Sequence, residues 1–302
     1  MFDVVILAAG LGLVVAGAEL FFDGLLATAT RFGISAFVLT VAVSGFEAEN
    51  LATGVAANAN GLGNAAAGTF LGGTTFVALA VPGLAAAVAP LERSVPRRAL
   101  AWTAVSPLPL LAAGADGTFA RWEGGALVVW FVVAIVEIAR SGRASMTSDD
   151  ERPRRFALAR LVLGLGLLAG AGDLLGRGIQ GVVRGFGISE SLLGNTAIAA
   201  SVEAEEVGRV VTPARRGRGD IALGNVLGTI AHFAALNAGV IVLVRPIRLD
   251  HASRVLHLPA AAAAPVLLAA LVAWRGGVSR PAAAFLLGLY AVYVALAVAL
   301  SF

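Results

Sequence analysis

The chain is 302 residues long, 58% hydrophobic and only 14% charged, with a mean hydropathy of +0.87. Soluble globular chains carry about 25% charged residues, so this composition excludes a soluble fold and implies a polytopic helical membrane protein. The net charge of +3 does not indicate nucleic-acid binding, because the 22 basic residues, all arginine, sit mostly between apolar stretches, and the absence of cysteine excludes disulfides, thiol chemistry and Cys-ligated metals.

In chain order, Met1-Phe2-Asp3 lacks a basic region, so the first apolar stretch reads as a retained helix rather than a signal peptide. Hydropathy predicts ten spans, over about 4–24, 35–57, 63–90, 98–115, 123–140, 156–180, 189–212, 219–244, 257–274 and 280–301. The fold class expected is an all-α integral membrane protein. Ser141 to Arg155, with Asp149, Asp150, Glu151 and Pro153, reads as a linker (141–155) between residues 1–140 and 156–302, five spans on each side. Loops after the odd-numbered spans hold Arg31; Arg93, Arg97 and Arg98; Arg143, Arg152, Arg154 and Arg155; Arg215, Arg216 and Arg218; and Arg275. Those on the other face hold fewer: Arg121, Arg184, Arg245, Arg248 and Arg254. The positive-inside rule then places the linker in the cytoplasm and both termini outside a cell membrane.

The two halves repeat. Glu47-Ala48-Glu49 recurs as Glu203-Ala204-Glu205, and at the same offset Gly63, Gly68, Leu71 and Gly72 fall on Gly219, Gly224, Leu227 and Gly228. Upstream, Ala18-Glu19-Leu20 with Gly24 parallels Gly172-Asp173-Leu174 with Gly178, and Phe32-Gly33-Ile34-Ser35 parallels Phe186-Gly187-Ile188-Ser189. An odd number of spans per copy turns the second copy upside down, giving two inverted five-helix repeats.

Each copy carries acids at membrane depth, where a carboxylate costs roughly 2.5 kcal/mol or more and is seldom idle. Residues three apart share a helical face, so Glu47 projects with Asn50 and Glu203 with Glu206. The inverted repeat brings these pairs together as the expected ion site, with Glu47, Glu203 and Glu206 as its metal ligands. Hard cations take about six to eight oxygens, which carboxylates, carboxamides and exposed carbonyls supply. Glu49 and Glu205 point roughly 160° away and serve a second ion, a proton or a structural pair. Arg209, one turn beyond Glu205 and Glu206, is either a built-in counter-ion or snorkels to the cytoplasmic surface.

The glycine-rich stretches Gly61–Gly73 and Gly217–Gly228 allow close helix approach. Thr74 and Thr229, with Asn225, add polar groups there. No Gly-Lys-Ser or Gly-Lys-Thr occurs, so a nucleotide loop is excluded. His232 either accepts a proton or packs between helices, while His251 and His257 read as solvated. Glu19 and Asp173 read as fixing helix ends or packing.

These motifs resemble the cation/calcium exchanger superfamily, of sodium/calcium exchanger type. Its repeats run Ala-Glu or Ala-Asp, Gly-Ile-Ser, Gly-Thr-Ser-x-Pro-Glu and Gly-Asn-x-x-Gly-Ser-Asn. The first copy here reads Ala18-Glu19, Gly33-Ile34-Ser35, Gly45-Phe46-Glu47-Ala48-Glu49-Asn50 and Gly68-Thr69-Phe70-Leu71-Gly72-Gly73-Thr74. The second reads Gly172-Asp173, Gly187-Ile188-Ser189, Ser201-Val202-Glu203-Ala204-Glu205-Glu206 and Gly224-Asn225-Val226-Leu227-Gly228-Thr229-Ile230. By this resemblance the family's central glutamate falls on Asn50 and Glu206, its ligand serine on Glu47 and Glu203, and its proline on Glu49 and Glu205. Its last polar ligand position falls on Val77 and Phe233. Losing that proline removes one reason for the helix to break there.

The resemblance and the acids together imply a membrane cation antiporter, moving Ca²⁺ or another cation in exchange for Na⁺ or H⁺ by alternating access. Its partners are inorganic cations and the lipid bilayer, with neither nucleic acid nor nucleotide, and it needs no resident cofactor. The rival reading is a non-transporting scaffold or sensor in which the Glu/Arg network is structural. An enzyme is not expected, since an intramembrane metalloenzyme needs a His or Cys ligand set that the chain lacks.

Overall fold

The computed structural model describes residues 2–45, 48–92, 95–142, 156–184 and 204–300. Most of the expected linker, and residues 185–203 at the start of the expected seventh span, lie outside the described residues.

The first half comprises α1 (Phe2–Phe32), α2 (Ala36–Val43), α3 (Ala48–Ala59), α4 (Gly63–Val88), α5 (Arg97–Val105), α6 (Leu108–Ala113), β1 (Thr118–Phe119) and α7 (Arg121–Gly142). The second comprises α8 (Ala157–Arg184), α9 (Ala204–Arg215), α10 (Gly219–Ala231), α11 (Ala238–Val244), β2 (Ile247–Arg248), α12 (Leu258–Arg275) and α13 (Arg280–Ala299). A π-helical turn, His232–Asn237, joins α10 to α11, and another, Ser253–His257, leads into α12. The chain is thus mostly helical. Among the described residues, six stretches are long and apolar enough to cross a membrane: Ala8–Phe32, Gly63–Val88, Arg121–Ser141, Gly219–Val244, Ser253–Arg275 and Arg280–Ala299.

Two stretches read as single spans are each a pair of short helices. The stretch over 98–115 divides at Ser106–Pro107, where proline lacks an N–H for the helical ladder. The stretch over 35–57 divides after Val43, at Ser44 and Gly45, before α3 begins at Ala48. Here the helix stops with no proline present. Gly45 is pressed against the His232 ring so closely that a Cβ on it would lie 2.3 Å from His232 Cγ.

The repeat seen in the sequence reappears in local geometry. α3 ends where Gly61 adopts φ 84°, with Leu62 N–H donating to Ala57 O at 2.9 Å and Gly61 N–H to Asn58 O at 3.0 Å. α9 ends where Gly217 adopts φ 70°, with Arg218 N–H donating to Pro213 O at 2.8 Å and Gly217 N–H to Ala214 O at 3.0 Å. Both are glycine caps that satisfy the last orphan carbonyls of the helix. Each is followed at once by a long apolar helix, from Gly63 and from Gly219.

Those following helices, α4 and the α10–α11 unit, are apolar on all sides and form the centre of the bundle, as such helices must. Phe37, Val77, Leu223, Val226, Leu227, Ile230 and Phe233 share one buried cluster between them. By contrast α7 shows the stripe Val129, Val132, Val133 and Val136 to the outside, a face suited to lipid tails. Between helices, β1 pairs antiparallel with β2, Thr118 opposite Arg248 and Phe119 opposite Ile247, and Leu91 pairs with Val278. At the start of β1, the Thr118 N–H and hydroxyl donate to Asp116 Oδ1 at 2.8 and 2.9 Å and hold its carboxyl below the usual carboxylate range.

α1 and α8 make the largest helix–helix contact, and glycine makes it possible. A Cβ on Gly24 would lie 2.3 Å from Leu161 N, and one on Gly164 would lie 2.3 Å from Phe21 N; Gly17 meets Leu168 N at 3.0 Å. Residue numbers rise on one helix as they fall on the other, so the two run antiparallel. The seam has no room for a side chain at Gly24. Gly24→Leu is therefore expected to cost about 1–3 kcal/mol through overpacking. Gly166→Leu, on the same helix pair with none of the described residues within 4 Å of an added Cβ, is expected to change stability by less than about 0.5 kcal/mol. Thermal unfolding of the two variants in detergent checks the contrast.

Candidate functional site

Glu205 and Glu206 lie at the start of the described part of α9. One turn on, Arg209 reaches back to both. All three are buried, at 1%, 0% and 3% exposure, so Arg209 does not snorkel to a surface. Its Nη1 donates to Glu206 Oε1 at 2.8 Å and to the Ser44 carbonyl at 2.5 Å, and its Nη2 donates to Glu205. The Phe21 ring closes the apolar side, 5.9 Å from Arg209 Cζ.

The Ser44 carbonyl is available because α2 stops at Val43, and the last carbonyls of a helix have no intrahelical acceptor role to fill. Glycine also permits this approach. A Cβ on Gly228 would lie 2.3 Å from Ser44 Oγ, so only glycine lets the break in span 2 settle on α10.

From α10, Asn225 Nδ2 donates to Glu206 Oε2 at 2.8 Å and Thr229 Oγ1 to the same oxygen at 3.3 Å. Glu206 thus receives guanidinium on one oxygen and amide plus hydroxyl on the other. A carboxylate out of water is tolerable only when its lone pairs are met in this way. His232, one helical turn beyond Gly228, is buried at the start of the π turn, with Nδ1 2.8 Å from Gly228 O and its ring 4.6 Å from that of Phe131. Wide turns of this kind often mark functional positions in helices.

The expected site residues therefore divide. Glu205, Glu206, Arg209 and Thr229 come together. Glu205 was expected to face away, but the long arginine side chain gathers positions three and four residues before it into one cluster. Asn50 is buried on α3. Thr74 donates to Phe70 O on its own helix at 2.6 Å, a packing bond. Glu47, Glu203 and the Glu49 side chain lie outside the described residues. Among those described, no three His, Cys, Asp or Glu side chains form a metal-ligand cluster.

Two participants escaped the sequence reading of the ion site. Asn225 was legible as the polar residue of Gly224-Asn225 but not as a donor to Glu206. Ser44 contributes only its backbone. Farther out, Arg216 binds Glu19 and, at 2.6 Å, Asp23, fastening the end of α9 to α1. This accords with a packing role for Glu19. Glu137 meets Arg98 and Arg140, and His257, read as solvated, instead has Nδ1 2.7 Å from the Tyr293 hydroxyl.

A sequence profile described as Sodium/calcium exchanger protein matches residues 2–138 and 156–299. The chain belongs to that family. Among relatives of this exchanger-family chain, Inner membrane protein YrbG of Escherichia coli (strain K12) is 30% identical over 268 residues, covering 81% of each chain. Putative antiporter CaxA of Alkalimonas amylolytica is 28% identical over 280 residues, covering 87% of this chain and 88% of that one. Among solved structures, the sodium-calcium exchanger NCX_Mj soaked with Na⁺ and Sr²⁺ superposes with a TM-score of 0.85 at 22% identity, over 97% of this chain and 98% of that one. The named relatives are exchangers, antiporters and membrane proteins, not enzymes.

Removing the amide from the Glu206 shell tests its importance. Asn225→Ala leaves Glu206 Oε2 with one weak donor and is expected to cost about 1–3 kcal/mol. Thr229→Val removes the longer bond and is expected to cost less. Unfolding temperatures of the two variants in one detergent give the order.

Proposed function

We propose that the chain is a cation antiporter that exchanges Ca²⁺ or another inorganic cation for Na⁺ or H⁺ by alternating access. The observation that carries this reading is Glu206. It is a fully buried carboxylate in a membrane helix bundle of exchanger fold, held by a carboxamide, a hydroxyl and the Arg209 guanidinium, which also takes the carbonyl of a broken helix. Carboxylate, carboxamide and carbonyl oxygens are the ligand types from which hard-cation sites are built. The complete site on this reading adds Glu47, Asn50 and Glu203, with Glu49, Glu205, Thr74 and His232 as secondary groups.

The architecture on this reading is ten crossings in two inverted five-helix repeats, residues 1–140 and 156–302, joined by a cytoplasmic linker at 141–155. The family profile matches once in each half. α3 and α9 end at corresponding positions with matching glycine caps, and their counterparts upstream, α1 and α8, lie antiparallel as inversion requires. Leu91 and Ile247 hold matching places in the two halves, and each pairs with a residue of the opposite half, Leu91 with Val278 in an isolated bridge and Ile247 with Phe119 of β1. This cross-pairing supports a twofold axis between the halves.

Flux into proteoliposomes under Ca²⁺, Na⁺, K⁺ and H⁺ gradients tests the function. Exchange is expected under at least one pair of gradients, and Glu206→Gln is expected to abolish it. One observation favours the rival scaffold reading, since Arg209, Asn225 and Thr229 already satisfy Glu206. A folded wild-type protein that moves no cation under any gradient would establish the scaffold.

Orientation has its own test. The chain has no cysteine, so Ser148→Cys gives a unique label in the linker. Labelling is expected from the cytoplasmic face only, and modification by an impermeant reagent outside intact cells would invert the assignment.

A further inference from the structure

An antiporter of this kind needs Glu206 to meet an inorganic cation, yet its carboxylate already meets a cation. The Arg209 guanidinium bridges Glu205, Glu206 and the Ser44 carbonyl. These three contacts come from two separate elements, α9 and the end of α2. Carboxylate oxygens together with a carbonyl released at a helix break are what a hard cation would recruit. A cation holding Glu206 Oε1 and Ser44 O would have to displace Nη1 from both.

Arginine stays charged at any pH at which the protein folds. Among the described residues, the two carboxylates and one guanidinium of this corner of the site therefore sum to one negative charge, where the two carboxylates alone would present two. In an interior of low dielectric, unbalanced charge is expensive, so the valence of a bound ion follows the charge of its cage. The acceptors left beside the guanidinium are Glu206 Oε2, Thr229 Oγ1 and Asn225 Oδ1. The last is buried and has no partner among the described residues.

We propose that the Arg209 guanidinium is a tethered resident cation that fills one ion position of the transport site and leaves the corner around Glu206 matched to a monovalent ion rather than a divalent one. The proposal rests on the antiporter reading and narrows it. Arg209 thereby determines ionic selectivity through the charge it contributes and the oxygens it occupies.

Equilibrium binding of ⁴⁵Ca²⁺ and ²²Na⁺ to purified protein tests this, with gel filtration reporting folding. Arg209→Met restores two negative charges to the cage and is expected to bind ⁴⁵Ca²⁺ at least tenfold more tightly than the wild type. Adding Glu206→Gln is expected to remove that gain. The double variant Arg209→Met/Glu205→Gln returns the cage to one negative charge without the tether. It is expected to bind ²²Na⁺ at least tenfold more tightly than wild type, with no gain for ⁴⁵Ca²⁺. Because it removes both partners of an ion pair, it also decides the matter if the single variant does not fold.

Equal ⁴⁵Ca²⁺ affinity in wild type and a folded Arg209→Met protein overturns the proposal. So does a folded double variant with unchanged ²²Na⁺ affinity. Failure of both variants to fold makes the guanidinium a structural clamp and overturns it as well. Wild-type flux in proteoliposomes separates the two levels. If it persists while the binding gains are absent, antiport stands and the tethered cation falls; if it is absent under every gradient, antiport itself falls.

Discussion

The contact between Arg209 and the Ser44 carbonyl organises the centre of this protein. It joins the helix break in the first half to the acids of the second, across the bundle, in a place closed to water. Its two ends depend on different parts of the chain. Arg209 is held by Glu205 and Glu206 on its own helix. Ser44 is held where it is because Gly228 and Gly45 carry no side chains. A side chain at either glycine would displace the carbonyl and leave a buried guanidinium short of an acceptor, and such unpaired charges are among the costliest defects a fold can contain.

Much of the architecture was legible in the chain itself. Ordered matches such as Glu47-Ala48-Glu49 with Glu203-Ala204-Glu205 gave the expectation of a duplication. The glycines at 61 and 217 were visible as repeated small residues, and the structure gives them a specific task as left-handed helix ends. Hydropathy located the apolar stretches but could not see where they break. Ser106–Pro107 had a proline to signal it. The break at Ser44–Gly45 had none, and Gly45 packs there against the His232 ring from the other half of the chain.

The site was legible in part for a similar reason. Acids at membrane depth identify themselves by their cost, and Arg209 was visibly within one turn of two of them. Helical projection placed Glu205 on the far face, since projection follows Cβ direction and ignores the reach of a long side chain. A backbone carbonyl has no letter in the sequence, so Ser44 could emerge only from the fold. In the first copy, Gly68 and Gly72 have nothing within 4 Å, while their counterparts Gly224 and Gly228 touch Phe37 and Ser44. The segment that the repeat would set against Gly68 and Gly72 falls within residues 185–203, outside the described residues.

On the antiport and tethered-cation proposals, the site would carry less charge through the membrane field than its carboxylates alone. Each elementary charge that crosses the full potential exchanges about 2.3 kcal/mol per 100 mV. Two bare carboxylates moving relative to that field would feel twice the force felt by the triad that Arg209 completes. With the guanidinium bound throughout a cycle, the Arg209 triad would contribute half the electrical work that its two carboxylates alone would, and a monovalent load beside it would cancel that contribution.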